Sequence, residues 1–131
     1  PLGCAEWLVG LRSESYALFP FLPPVAPAVL GSWYEFRTYS LRQGKLGETI
    51  DAWREAVPAR HALSPLVGAF TALDGDQPRF LNIWAYSTLE DRSRIRADAV
   101  AQGLWPPRGG PANLTKMTST VCAPAAFSPL R

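Results

Sequence analysis

Polar and aromatic side chains that could bind a small molecule alternate along two segments of the sequence. The segments are WYEFRTYSL (33–41) and RFLNIWAY (79–86). Arg37 could hold a carboxylate or a similar anion through paired hydrogen bonds, and neighbouring aromatic rings could form the walls of a pocket. The candidates for ligand binding in these segments are Glu35, Arg37, Tyr39, Asn82, Trp84 and Tyr86.

The same residues have a structural interpretation. Charged groups are seldom buried without a partner, because their desolvation costs several kcal/mol. Glu35 and Arg37 could therefore belong to a network of ion pairs and hydrogen bonds that fixes the packing of the protein. The sequence favours this structural network over a ligand pocket.

His61 is the only histidine, and it is added to the pocket candidates as a general base. It follows Arg60 at the end of a predicted helix. No serine or cysteine nucleophile motif and no second metal ligand accompanies it, so a position on the surface or at an interface is the preferred interpretation. The sequence identifies no catalytic residue, predicts no metal site and no cofactor, and leans against an enzyme.

Arg92 and Arg96 are four residues apart, so they lie on one face of a predicted helix. We interpret them as structural ion-pair residues, with Glu35 or Asp51 as the acidic partner.

Two strands and a helix are predicted in the first part of the core. WYEFRTYSL alternates as a strand with two different faces. Leu46, Ile50, Trp53 and Val57 then recur with the spacing of one helix face, so a helix should run from about Lys45 and kink or stop near Pro58. The segment LVGAFTAL (66–73) is a second strand, in which Gly68 indicates a bulge or a close approach of the backbone.

The second part of the chain repeats this order of strand, helix and strand. RFLNIWAY (79–86) is a strand, and the preceding DGDQP supplies the turn of an antiparallel hairpin. Ser87 and Glu90 form a capping box, which predicts a helix that begins at Ser87 and fades near Gly103. MTSTVCAP (117–124) is the final strand.

The resulting order, βαββαβ, predicts the α+β class and a ferredoxin-like domain with both helices on one face of an antiparallel sheet. We expect an apolar set of side chains to pack under the helices: Tyr34, Phe36, Leu81, Ile83 and Ala85. The ligand-binding candidates of the two segments would then lie on the other face, against a second sheet.

Residues 1–32 precede this domain, which spans 33–131. SESYALFPF aligns with TSTVCAPAA at an offset of about one such domain, with Ser15 on Ser119 and Pro20 on Pro124. We therefore predict that the N-terminal segment contains the tail strand of a preceding repeat, followed by a proline-rich linker.

Composition excludes several classes of protein. Basic residues are scattered except around Arg92–Arg96, so no stripe for nucleic acid is expected. The apolar run ALFPFLPPVAPAVLG is interrupted by prolines and is not expected to span a membrane. Cys4 and Cys122 are interpreted as unpaired thiols in a reducing compartment. Arginine outnumbers lysine by 11 to 2, which indicates a GC-rich bacterial genome.

Four motifs in the same order resemble the NIPSNAP family: WYEFRTYSLRQGKL, SPLVGAF, NIWAYSTLEDRSRIR and FSPLR. The resemblance implies a dimeric α/β barrel, in which two ferredoxin-like sheets pack face to face. Animal members are associated with mitochondria, whereas bacterial members are mostly uncharacterised. This sequence has Asn82 where many members have His, and Thr118 near a frequent Glu, which argues against an acid–base role at those positions.

The sequence thus predicts a NIPSNAP-like homodimer or homo-oligomer of uncharacterised biochemical role that acts as an interaction or assembly domain. The alternative is an enzyme, similar to a monooxygenase or isomerase, that binds a small molecule in a polar pocket inside the barrel. A cytoplasmic bacterial protein is expected, or a mitochondrial one if the source is eukaryotic.

Overall fold

The computed structural model describes Gly3 and residues 5–131, so the interpretation of Cys4 lies outside the described residues. A 3-10 helix, Ala5–Trp7, comes first. The elements that follow are β1 (Tyr16–Leu18), β2 (Trp33–Leu41), α1 (Leu46–His61), β3 (Leu66–Ala72), β4 (Arg79–Tyr86), α2 (Leu89–Ala101), α3 (Gly110–Asn113) and β5 (Leu114–Cys122).

The strands form one antiparallel sheet in the order β1-β3-β4-β2-β5. Without β1, the order β3-β4-β2-β5 is that of the ferredoxin-like fold, so the predicted fold class is confirmed. Glu35 pairs with Trp84, and Arg37 pairs with Asn82. This register places side chains of the two central strands next to one another on each face of the sheet.

The helices lie over the face opposite to the one predicted. We call this the covered face and define it by Glu35, Arg37, Tyr39, Phe80, Asn82, Trp84 and Tyr86, all of which are buried. The uncovered face is defined by Phe36, Thr38, Phe70, Leu81 and Ile83, which are half-buried or exposed.

The prediction that Tyr34, Phe36, Leu81, Ile83 and Ala85 pack under the helices is therefore wrong. Trp53 of α1 packs edge-on against Phe80, with ring centroids 5.2 Å apart, and also contacts Trp84. Both sets of alternating residues contain aromatic rings, but the covered set contains the larger ones. Burying these rings against Trp53 stabilises the fold more than burying the smaller side chains would.

The bounds of three elements differ from those predicted. Helix α1 continues through Pro58 to His61, because the last turn is held from outside the helix: Arg60 donates to Ser64 at 2.7 Å, and the backbone N–H of Leu66 donates to His61 at 3.0 Å. Strand β5 begins at Leu114 and ends at Cys122, earlier than the predicted 117–124.

Helix α2 begins one residue later than the predicted capping box. Its N-cap is Thr88, whose hydroxyl accepts from the backbone N–H of Asp91 at 3.0 Å. Thr88 has the extended backbone that an N-cap requires, and this is why its side chain, and not that of Ser87, reaches the first turn.

Gly68 has the close backbone environment that was predicted. The pairing of β3 with β4 shifts register between Leu66 and Gly68. The ring of Phe70 covers Gly68, so that an added Cβ would lie 2.4 Å from the ring.

Segments outside the βαββαβ core cover parts of the sheet. Strand β1 pairs with β3 through Ala17 and Thr71 at one edge. Ala28 forms a parallel bridge with Leu130, so the C-terminal segment Ala123–Arg131 is tied to the linker. The assignment of β1 to a preceding repeat stays a prediction.

Within residues 3 and 5–131, no helix is both long and apolar enough to cross a membrane. Cys122 at the end of β5 is half-buried and has a free thiol.

Candidate functional site

A single carboxylate lies at the centre of the covered face. Glu35 is fully buried and accepts from Arg37 at 2.6 Å, from Arg92 at 2.7 Å and from the hydroxyl of Ser119 at 2.7 Å. Arg96 forms a longer ion pair with its other oxygen at 3.5 Å. Strand β2 positions Glu35 and Arg37, and α2 brings Arg92 and Arg96 over them. Asp51, the other predicted partner, instead pairs with Arg54 on the surface of α1.

These hydrogen bonds keep Glu35 ionised. Burial by itself would raise the pKa of Glu35, because it disfavours the charged form. The hydrogen bonds from Arg92, Ser119 and Arg37 outweigh burial and lower the pKa from 4.5 to about 2. The covered face therefore holds a permanent negative charge at neutral pH.

Arg37 is the best placed of the predicted pocket residues to meet a ligand. It is 6% exposed, and its guanidinium donates to Glu35 and, at 2.7 Å, to the hydroxyl of Tyr39. Its remaining terminal nitrogen donates to the thioether sulfur of Met117 at 2.8 Å. Because a thioether is a weak acceptor, this edge of the guanidinium is poorly satisfied.

Arg60 is a second buried guanidinium at the site, and the sequence analysis did not identify it. It is 2% exposed and lies over the ring of Trp84 at 4.3 Å. It donates to Ser64 and, at 3.2 Å, to the hydroxyl of Tyr86. Burial lowers the pKa of Arg60, and within the described part of the chain it forms no ion pair with a carboxylate.

Asn82 and Trp84 form a hydrogen-bonded pair in the covered face. The side-chain amide of Asn82 donates to the backbone carbonyl of Arg37 at 3.0 Å, and its carbonyl accepts from the indole N–H of Trp84 at 2.9 Å. The amide nitrogen and the carbonyl oxygen of the side chain thus each form one hydrogen bond. Asn82 therefore orients Trp84 and β2.

Two adjoining cavities lie between the covered face, α2 and the loop before α3. The smaller, about 40 Å³, contacts Arg60, Trp84 and Tyr86, and the larger, about 290 Å³, extends toward Trp53 and Phe80. We call the two together the helix-side cavity. The residues that line both parts are Arg37, Tyr39, Arg96, Val100 and Trp105. The cavity is open at its mouth, where Val100 is 60% exposed.

The helix-side cavity has two chemically different ends. At the polar end, the guanidiniums of Arg37, Arg60 and Arg96 line the cavity, and Arg37 and Arg96 share the carboxylate of Glu35 with Arg92, so that the cluster carries an excess of positive charge. At the aromatic end, Trp53, Phe80 and Trp105 pack edge-on. Such an arrangement can neutralise an anion and bury an apolar group in the same space.

His61 is not brought to this site. Its Nδ1 accepts the backbone N–H of Leu66, and its side chain borders a separate cavity near Val57 and Leu22. His61 therefore fixes the turn between α1 and β3. The structure brings the other six pocket candidates to the covered face, with Arg37, Tyr39, Trp84 and Tyr86 lining the helix-side cavity.

Several residues of the site do not belong to any motif recognised in the sequence. Arg60 lies on the same helical stripe as Trp53 and Val57, at spacings of seven and three residues, and this periodicity could have identified it. Trp105 follows α2 in an irregular loop, and Met117 and Ser119 belong to an exposed edge strand. No periodicity marks those three. Over the part of the chain that is described, no group of three or more His, Cys, Asp or Glu residues is arranged to hold a metal ion.

Comparison with protein families identifies the NIPSNAP family. The model of the NIPSNAP family matches residues 34–129, which include every strand and helix of the core. Among curated proteins, NipSnap homolog 3B of Mus musculus is 32% identical over 79 residues, 60% of this chain and 32% of the relative. NipSnap homolog 2 of Danio rerio is 30% identical over 100 residues, 76% of this chain and 35% of the relative. The chain spans about a third of the length of these curated relatives.

Solved structures match over nearly their full length. A NIPSNAP family protein of unknown function from Agrobacterium tumefaciens has a TM-score of 0.69 and 27% identity, and the match covers 82% of this chain and 100% of that one. An uncharacterised NIPSNAP domain protein from Burkholderia xenovorans has a TM-score of 0.66 and 28% identity, with coverages of 74% and 98%. The similarity thus extends over one complete domain.

Proposed function

Because this chain belongs to the NIPSNAP family, we propose that it acts as an assembly domain whose uncovered sheet face binds a second copy of the same chain. The product would be the dimeric α/β barrel that the family resemblance implies. The uncovered face is the observation that carries this proposal.

The uncovered face is apolar and carries no charge at its centre. Phe36, Leu81 and Ile83 occupy neighbouring positions on β2 and β4, and Phe36 is 37% exposed. None of the five residues that define this face ionises. An apolar sheet surface of this kind is typical of a protein interface, since single domains rarely expose contiguous apolar patches.

A second copy fits this face in size and in charge. The four strands β2, β3, β4 and β5, of seven to nine residues, at about 3.3 Å per residue and about 4.8 Å apart, make a face of about 500 Å². Two copies would bury about 1,000 Å² in total, the area at which specific interfaces begin. Because a two-fold axis brings identical patches together, an uncharged centre avoids repulsion between them.

The C-terminal segment covers only one side of this face. Residues 123–125 and 127–130 border a cavity of about 360 Å³ together with Tyr34, Phe36 and Ile83. Tyr34 is 5% exposed, whereas Phe127 in the segment is 91% exposed. The centre of the face thus stays accessible, and Phe127 adds an apolar rim to it.

Native mass spectrometry and size-exclusion chromatography test the proposal. We expect a species of twice 14.3 kDa at micromolar concentration. Phe36→Asp should weaken dimerisation at least about hundredfold, because it would bury a carboxylate without a partner. The matched control is Leu73→Asp, at an apolar residue that is 63% exposed in the turn after β3.

A monomer for the unsubstituted chain at high concentration would overturn the proposal. So would equal effects of Phe36→Asp and Leu73→Asp on the dimer. Circular dichroism of both variants separates loss of assembly from loss of fold.

We also propose that residues 1–32 carry the tail strand of a preceding repeat and its linker. The support is that β1 pairs with the edge of β3 as an additional strand outside the βαββαβ core. The proposal requires a βαββα unit to be encoded immediately upstream of residue 1, which the source gene can show.

For the location we propose the cytoplasm of a bacterium, or the mitochondrion if the source is eukaryotic. Bacterial relatives of known structure match over nearly their whole length, and the thiol of Cys122 is free. Fractionation of the source organism, followed by detection with an antibody, tests this location.

A further inference from the structure

We infer that the helix-side cavity is a binding site for a small organic carboxylate with an aromatic or aliphatic body. This inference is independent of the proposed assembly, because the cavity lies on the opposite face of the sheet. It rests on the charge, the hydrogen bonding and the shape of the site.

The charge at the polar end is unbalanced. Arg37, Arg92 and Arg96 share the single carboxylate of Glu35, and Arg60 has no carboxylate partner within the described part of the chain. Arg37 and Arg60 are buried, whereas the side chains of Arg92 and Arg96 are 25% and 39% exposed. The positive charge that lacks an acidic partner therefore belongs to the two buried guanidiniums, where it is costly. An anion in the cavity would supply the missing negative charge.

Hydrogen bonding at the polar end is also incomplete. Arg37 is more than nine-tenths buried, lines the cavity and offers one terminal nitrogen to the sulfur of Met117. A carboxylate oxygen is a far stronger acceptor than a thioether, so it would take over the bond from Arg37.

The shape of the cavity selects a small ligand with an apolar body. The larger part holds about 290 Å³, near the lower bound of ligand pockets at about 300 Å³. Its walls include Trp53, Phe80 and Trp105, and it opens to solvent beside Val100. One ring or a short chain fits this space, with its carboxylate at Arg37 and Arg96.

Isothermal titration calorimetry of the whole chain tests this inference with matched compounds. The carboxylate probes are 3-phenylpropionate and hexanoate, and the neutral control is 3-phenylpropionamide. At least one carboxylate should bind at millimolar concentration or below, and the amide should bind at least about tenfold more weakly than 3-phenylpropionate, because it cannot neutralise the guanidiniums.

Two variants of α2 locate the site. Arg96→Gln should weaken carboxylate binding about tenfold or more, since Arg96 lines both parts of the cavity. Arg94→Gln is the matched control, because Arg94 lies on the same helix, is 63% exposed and pairs with Asp91. It should leave binding unchanged within about twofold.

The inference is overturned if neither carboxylate binds, if the amide binds as tightly as 3-phenylpropionate, or if Arg94→Gln weakens binding as much as Arg96→Gln. The comparison between acid and amide uses the unsubstituted chain, so it tests carboxylate binding even if a variant does not fold.

Discussion

The two faces of this sheet have the reverse of the polarity expected in an isolated monomeric domain. The covered face, under α1 and α2, holds a buried carboxylate and arginines, whereas the uncovered face carries Phe36, Leu81 and Ile83. In an isolated domain, charged residues would be expected on the solvent side and smaller apolar ones under the helices.

The two faces differ in how far folding of the monomer accounts for them. Aromatic packing around Trp53 is extensive enough to hold the covered face together despite its charges. The uncovered face gains stability only when another surface removes it from water. Because we propose assembly for one face and ligand binding for the other, substitutions on each can test the two proposals separately.

The largest effect is expected from removing the charge at the centre of the covered face. Glu35→Gln keeps the shape of the side chain but leaves Arg37, Arg92 and Arg96 without their shared carboxylate. Breaking a buried ion pair from one side typically costs about 3–5 kcal/mol. We expect a loss of that size in the free energy of unfolding, measured by urea denaturation.

The control for this substitution is Glu55→Gln on the exposed side of α1, whose ion pair with Arg108 is long, at 3.8 Å. It should change stability by less than about 0.5 kcal/mol. A loss of under about 1 kcal/mol for Glu35→Gln would mean that the buried ion-pair network contributes little to the free energy of unfolding. The charges of the covered face would then not be needed for stability.

Acid should act on the covered face through the same residue. The pKa of Glu35 is lowered from 4.5 to about 2 in the folded chain, so its contribution is fully present above about pH 5 and is lost as the pH falls toward 2. The difference corresponds to a contribution on the order of 3 kcal/mol. None of the residues that define the uncovered face titrates.

Urea denaturation across this pH range, for both the unsubstituted chain and Glu35→Gln, measures the contribution. The gap in stability between them should narrow as the pH falls, because a protonated Glu35 resembles glutamine. A gap that stays constant from neutral to acid pH would place the acid sensitivity elsewhere, for example at Glu14, whose pKa is also lowered to about 2.

The sequence was sufficient to predict the order of elements and the two sets of alternating residues. Alternation separates Glu35, Arg37 and Tyr39 from Tyr34 and Phe36, but it does not say which set the helices cover. Hydrophobicity was a poor guide here, because the covered set combines charges with the larger aromatic rings.

One prediction from the sequence already contradicted the choice of face. Pairing Arg92 and Arg96 with Glu35 requires α2 to lie over the face that carries Glu35. The predicted choice of face placed Glu35 against a second sheet, so the two expectations could both hold only if Asp51, the alternative partner, paired with the arginines. The ion pairs observed at 2.7 Å and 3.5 Å agree with the first of them.

The helix-side cavity could not be predicted from the sequence, for a different reason. Its walls come from a loop residue, Trp105, and from the edge strand β5, which contributes Met117. Neither has a periodic pattern, and their positions depend on how the chain returns after α2. Only the tertiary arrangement shows that Arg37 and Arg60 are close to the same space.

The smallest effect concerns the helix that carries Arg92 and Arg96 to the covered face. Thr88→Ala removes the side chain that caps α2, which should lower stability by about 1 kcal/mol. Ser87→Ala, one residue earlier, is the matched control and should change stability by less than about 0.5 kcal/mol. If Ser87→Ala had the larger effect, the helix would begin at the capping box of Ser87 and Glu90.

Hydrogen exchange in the first turn of α2 distinguishes the two starts, because the amide of Asp91 should lose protection in Thr88→Ala alone. A register shift there would move both arginines relative to Glu35, so this cap also helps to position Arg92 and Arg96 over the covered face.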